Sequence, residues 1–269
     1  MCAQSEAQTS SSTFESYGVV FELRSEDTAL FDKAVRTVRT SLLGNLVPSE
    51  RSPDFTIELD HKGRRYAMVL NDEEIASGTS GKKFIKFLDS VIRASVGEYV
   101  SDRVFLHAGA VGWKGRAILL PADSFKGKST LVTEMVKQGA EYLSDDFAIL
   151  DPDGLVHPFP RPIRRRTPDF RPYEITIDSI GKRAEKAMPV AAVLFTEYVE
   201  GATWLPSQLT PGQGALQMIP FALTFRREPE LTMAILNKVA SRAIIASGPR
   251  GNAVDTVAVI LNFVDKNAN

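Results

Sequence analysis

The residues best suited to chemistry are gathered in one stretch. Gly127, Lys128, Ser129 and Thr130 follow an apolar run at 117–120 and a turn-rich loop at 121–127. Leu131, Met135 and Gln138 come next at helical spacing, and Gly139 stands where a helix ends. Strand, loop and helix in this order is the setting that a phosphate-binding loop requires. A helix start leaves backbone N–H groups without partners and carries a partial positive charge, and phosphate oxygens satisfy both. Against the pattern G-x-x-x-x-G-K-[ST], Ala122 occupies the first glycine position while Gly127, Lys128 and Ser129 match. The expected cradle is Ala122, Asp123, Ser124, Phe125, Lys126, Gly127, Lys128, Ser129 and Thr130. Lys128 is expected at the β- and γ-phosphates of ATP and the Ser129 hydroxyl on Mg²⁺. The plainer alternative is a surface helix start with a capping serine.

Asp145 and Asp146 stand between the apolar runs at 141–144 and 147–150. Side chains alternate faces along a strand, so the two carboxylates cannot share one solvent-facing side. If their strand lies beside the one before the loop, they reach the phosphates, one to hold Mg²⁺ and the other to act as base. A solvated turn is the alternative, since Asp suits turns.

With His107 in Leu-His-Ala-Gly-Ala-Val and the spacing from Ser129 to the acid pair, the segment resembles the bacterial HPr kinase/phosphorylase family. The fold of that family resembles that of phosphoenolpyruvate carboxykinase. The likeness covers residues 100–170 well and the C-terminal third loosely. It implies an α/β fold: a P-loop kinase core of the HPr kinase/phosphoenolpyruvate carboxykinase type, with a mixed sheet and flanking helices. It also implies ATP and Mg²⁺, with Ser129 and Asp145 as metal ligands and Asp146 as base. Lys128 then holds the phosphates, His107 stands near the base, and Arg161 steadies the transferring charge. The implied acceptor is a Ser hydroxyl on a protein or peptide, with a small-molecule alcohol left open, and members of the family often form oligomers. Ala122 and Phe125 replace two loop glycines. Phe125 is expected to pack on the adenine or close the loop. The family's downstream glycine-rich signature has no clear counterpart here, so a nucleotide-binding regulator without turnover and a simple ATPase stay open beside the kinase.

The elements that must position these groups follow from composition and periodicity. The chain has 269 residues with 33 acidic and 32 basic side chains, so no global field draws it to nucleic acid or membrane. Cys2 is the only cysteine, which excludes an intrachain disulfide and a cysteine-based metal site and fits a cytoplasmic protein. No apolar run approaches a membrane span, and no apolar signal core is expected at the start.

Residues 1–13 are expected to be disordered, 14–100 to form a small N-terminal α+β unit, and 101–269 to form the kinase-like domain. The first unit reads as strands at 17–23, 55–59, 66–70 and near 74–76, with a helix at 28–43. A second helix at 82–99 has Phe84, Phe87, Leu88, Val91, Ile92 and Val96 on its core stripe. The role of this N-terminal unit is expected to be support of the main sheet, with acceptor recognition or self-association as alternatives. In the second unit, a strand at 104–106 starts the sheet, and Asp153-Gly154 turns a hairpin. Residues 161–166 carry four arginines among prolines, a patch for a γ-phosphate or an anionic acceptor, or else a solvated basic loop. Residues 171–187 read as a loop bordering the site, 190–195 and 204–209 as strands, and 216–221 as a short helix. A helix at 230–242, a strand at 243–246 and a helix at 252–264 close the chain.

Overall fold

The computed structural model describes residues 9–123, 126–167, 169 and 171–267. Cys2, Ser124 and Phe125 lie outside the described residues. The chain divides into two compact units, Met1–Val100 and Ser101–Asn269, both built of sheet and helix.

The first unit is a six-stranded sheet in the order β3-β1-β2-β4-β5-β6. Its strands are β1 (Ser10–Ser16), β2 (Val19–Ser25), β3 (Val47–Pro48), β4 (Phe55–Lys62), β5 (Arg65–Leu70) and β6 (Glu73–Gly78). Helix α1 (Thr28–Ser41) joins the parallel strands β2 and β4, and α2 (Gly81–Tyr99) follows β6. Each helix begins on a polar cap, Asp27 for α1 and Ser80 for α2. Residues 10–13 belong to β1, contrary to the expectation of disorder. Their serines are polar, but backbone pairing with β2 and the buried Phe14 hold them. The stripe on α2 also differs from its expected form. Phe84, Leu88, Ile92 and Val96 are buried, yet Phe87 is exposed, while the charged Asp89 and Arg93 are buried. Asp89 and Arg93 pair at 2.8 Å one helical turn apart, and Ser41 of α1 donates to Asp89. A periodicity count assigns charged residues to solvent, whereas a burial-tolerant ion pair needs only mutual neutralisation and hydrogen bonds.

The second unit is a three-layer α/β/α arrangement around a nine-stranded mixed sheet. Along one path the order is β10-β8-β9-β15-β12-β11-β7, with β17 and β16 continuing from β15. The strands are β7 (Val104–Leu106), β8 (Ala108–Trp113), β9 (Arg116–Pro121), β10 (Glu141–Ser144), β11 (Ala148–Leu150) and β12 (Leu155–His157). A separate hairpin pairs β13 (Ile163–Arg166) with β14 (Pro172–Ile175), and β15 (Met188–Tyr198), β16 (Ser207–Gln208) and β17 (Ile244–Arg250) complete the main sheet. The helices are α3 (Lys128–Lys137), α4 (Pro211–Met218), α5 (Pro229–Arg242) and α6 (Ala253–Asn267).

Central β9 shows why its apolar run has no polar partner face. Ala117 and Leu119 enter the core beneath α4 and α5, while Ile118 and Leu120 enter the one beneath α3 and α6. β9, β15 and β17 are parallel, so their C-terminal ends meet on one edge. Beyond the last β9 pairing, Leu119 with Val193, β15 and β17 run on side by side to Tyr198 and Arg250. This overhang walls the loop that leaves β9.

Two expected loops are ordered otherwise. Part of 171–187 forms β14, which pairs with the arginine-bearing β13, and Ile163 anchors that hairpin among Leu131, Met135 and Val136 of α3. The expected strand at 204–209 is only β16. The strand expected at 243–246 extends to Arg250.

A tight approach sets α3 on the sheet. A Cβ on Gly109 of β8 would stand 2.6 Å from Val132 Cγ2 and 3.2 Å from Lys128 Cγ. Gly109→Ala is therefore expected to destabilise the unit by about 1–3 kcal/mol through overpacking, read in urea unfolding. An unchanged unfolding midpoint refutes this close fit.

Candidate phosphate-binding site

The loop after β9 opens at the C-terminal edge of the parallel strands, where open α/β sheets bind ligands. Gly127 is the N-cap of α3 with φ 81°, a left-handed conformation, and among the described residues no side chain caps this helix. Its first N–H groups are left for an anion. Ala122 is buried, Asp123 and Lys126 are exposed, and Ser129 and Thr130 are half-buried. Lys126 Nζ reaches Glu197 Oε1 of β15 at 3.2 Å.

Lys128 is the first residue of α3 and its side chain is buried, with Nζ donating to Ala122 O at 3.2 Å. Burial lowers its affinity for a proton, and the nearby charges of Asp145, Asp146 and Asp123 work in the opposite direction. The Ser129 hydroxyl lies near the Asp145 carboxyl and favours its charged form. Asp145 Oδ1 is buried and has no hydrogen-bond partner among the described residues. Burial raises the Asp145 carboxyl to about 7, with Asp146 adding to the rise, while Ser129 and Lys128 oppose it.

The acid pair reaches the loop by a different route from the one anticipated. β10 does not pair with β9; β8 lies between them, antiparallel to both. Both pairings bring the end of β10 to the same sheet edge as Pro121. There the Ser144 hydroxyl accepts from the Asp146 and Phe147 N–H groups, each at 3.2 Å, and turns the chain through the two acids.

His107 links β7 and β8, with its N–H donating to Phe221 O at 2.7 Å and its ring 5.7 Å from that of Phe147, the residue after Asp146. Arg161 is buried beside this group: Tyr142 Oη donates to its carbonyl at 2.8 Å, and its charge acts on the Tyr142 hydroxyl. Burial, with Asp145 and Asp146 reinforcing it, pushes that hydroxyl well above the usual tyrosine range. Arg165 on β13 also exerts its charge on Asp145, while Arg164 on the alternate face pairs with Glu174. The structure thus gathers Lys128, Ser129, Asp145, Asp146 and Arg161. Ser124 and Phe125, the two loop positions for which an adenine contact or a closing role is expected, lie outside the described residues.

Among the described residues, no three His, Cys, Asp or Glu side chains converge as a self-sufficient metal cage. The orphaned Asp145 Oδ1 beside the Ser129 hydroxyl instead fits a small divalent ion such as Mg²⁺, whose shell is completed by phosphate and water. A cavity of about 270 Å³ bounded by Arg116, Gly154, Pro189 and Arg242 lies at the opposite end of β9.

One residue at the loop escaped the sequence reading. Arg250, at the end of β17, is 2% exposed, and its Nη2 donates to Gly127 O at 2.9 Å. The only local hint is an arginine set among Gly248, Gly251 and Pro249 between a strand and a helix. Searched against family models and against curated proteins, the chain matches none.

Proposed function

We propose that this chain is an ATP-dependent kinase of the HPr kinase/phosphoenolpyruvate carboxykinase type, which transfers the γ-phosphoryl group to a hydroxyl. The acceptor class that the likeness supports is a Ser on a protein or peptide. The observation that carries the reading is the start of α3, which no described side chain caps, with Lys128 and Ser129 facing a half-buried Asp145–Asp146 pair. Free helix N–H groups and Lys128 bind and orient the β- and γ-phosphates. Ser129 and Asp145 are the residues that would hold Mg²⁺, which supplies charge neutralisation at the phosphates when bound. Asp146 takes the proton of the acceptor hydroxyl. The acceptor oxygen forms its bond to γ-phosphorus as the bond to the β,γ-bridging oxygen breaks, and ADP leaves. Arg161 holds positive charge near the transferring group, and His107 orients the acid turn. Positioning and preorganised charge account for most of the acceleration, as is general for phosphoryl transfer.

A second reading, a nucleotide-binding regulator without turnover, has its own support. The Lys128 ammonium is engaged by the carbonyl of Ala122, the residue standing in the first glycine position. Incubation of the protein with Mg²⁺, γ-labelled ATP and cell extract separates the two. The kinase is expected to label acceptors, and Asp146→Asn to lower labelling by at least about 10²-fold, within the range for loss of a general base. Equal labelling by Asp146→Asn removes Asp146 as base. Tight ATP binding by the wild type with neither labelling nor phosphate release favours the regulator.

A further inference from the structure

Arg250 is among the largest fully buried side chains of the protein, yet among the described residues no carboxylate pairs with it. Nη1 donates to Gly251 O at 3.0 Å, Nη2 to Gly127 O at 2.9 Å, and the guanidinium lies 5.8 Å from the centre of the Tyr198 ring. Nε is buried and has no hydrogen-bond partner among the described residues. A guanidinium has five N–H donors, and two neutral carbonyls leave its charge uncompensated, an arrangement that costs stability unless an anion answers it. The overhang of β15 and β17 beyond β9 puts this cation behind the phosphate loop.

Geometry at Gly127 gives the arginine a specific task. The Gly127 carbonyl accepts from both Leu131 N–H, at 3.1 Å, and Arg250 Nη2. A peptide unit is planar and trans, so anchoring this carbonyl aims the Lys128 N–H the opposite way, out of the helix start. A Cβ at position 127 would stand 2.5 Å from Arg250 Nη2, and φ there is left-handed. Glycine is needed both for the turn and for the arginine's approach.

We infer that Arg250 is a positioning residue of the phosphate loop: it fixes the 127–128 peptide so that the Lys128 N–H faces a polyphosphate, and it supplies behind the loop a positive charge that the bound anion neutralises. The inference rests on the nucleotide reading and adds to it a residue 123 positions away in the chain.

Inorganic pyrophosphate is the probe, titrated calorimetrically into wild type, Arg250→Lys and Arg250→Met, with hydrogen exchange of the amides at 126–130 followed in parallel. Arg250→Met is expected to bind pyrophosphate about tenfold to a hundredfold more weakly, as for loss of a charge-assisted contact. Arg250→Lys is expected to fall between the two. Exchange is expected to quicken at 127–130 in both variants while the rest of the sheet stays protected. Pyrophosphate affinity within twofold of wild type in Arg250→Met overturns the inference, as does loss of protection spread evenly over the sheet. If Arg250→Met does not fold, Arg250→Lys decides by the same two measurements. Wild type that binds neither pyrophosphate nor ATP defeats the nucleotide reading itself. In that event quickened exchange confined to 127–130 still upholds the loop-positioning half, and unchanged exchange overturns it.

Discussion

Lys128→Met is expected to lower phosphoryl transfer by roughly 10³-fold and to weaken ATP binding, with the fold intact. Lys128 is a buried cation at the first position of α3. Its aliphatic stem packs near Gly109, close to where Val132 meets the sheet, and methionine can occupy that channel. What methionine cannot replace is the ammonium. In a water-poor site a fixed charge acts through a low dielectric, so its removal is felt far more strongly than on the surface. Asp145, Asp146 and Asp123 all act on Lys128, so its loss also leaves the acid pair facing less positive charge. Steady-state labelling of an acceptor and ATP titration measure the two effects. Labelling within tenfold of wild type places the chemistry elsewhere.

Asp145→Asn is expected to stabilise the nucleotide-free protein at pH 8 by up to a few kcal/mol while abolishing the support for Mg²⁺. The sign follows from proton counting. The folded carboxyl is raised to about 7, chiefly by burial, whereas an unfolded aspartate titrates near its ordinary value of 3.8. Between these values the native state holds a proton that the unfolded state releases. Stability therefore falls as pH rises from about 4 to about 7 and is level outside that window. Asparagine keeps the shape and removes the titration. Carboxylates held below their ordinary value, such as Asp27 through its His61 partner, shift stability the other way, but they are common to both proteins and cancel in the difference. Urea unfolding of wild type and Asp145→Asn at pH 5 and pH 8 reads the effect. The same pH dependence in both proteins would falsify the buried, proton-holding Asp145.

The two predictions differ in how far they were visible beforehand. Lys128 stands in a local pattern of strand, loop and helix, and the structure has β9 and α3 where the pattern puts them. The acid pair was likewise visible, but its neighbour was not. β8 consists of Ala108, Gly109, Ala110, Val111, Gly112 and Trp113, and four of these six are Ala or Gly, which have weak strand preference. The two glycines have a reason that is visible only once the layers are assembled: α3 presses on Gly109 and Met188 on Gly112. The hairpin of β13 and β14 was obscured by its prolines, which exclude a central strand but not an isolated two-stranded ribbon whose Ile163 is held by α3.

By itself the sequence determined what depends on residues a few positions apart. That includes most of the apolar stripe of the helix at 82–99, the placing of Gly127 before α3, and the adjacency of Lys128 to Ser129 and of Asp145 to Asp146. Only the tertiary structure decided what depends on desolvation and on segments arriving from elsewhere. It put Arg250 against Gly127, buried Asp89 with Arg93, and sealed Asp145 Oδ1 so that a carboxyl group holds its proton near neutral pH. The reason is physical: local dihedral preference is a property of short stretches, whereas the free energy of a charge is set by the atoms and water around it.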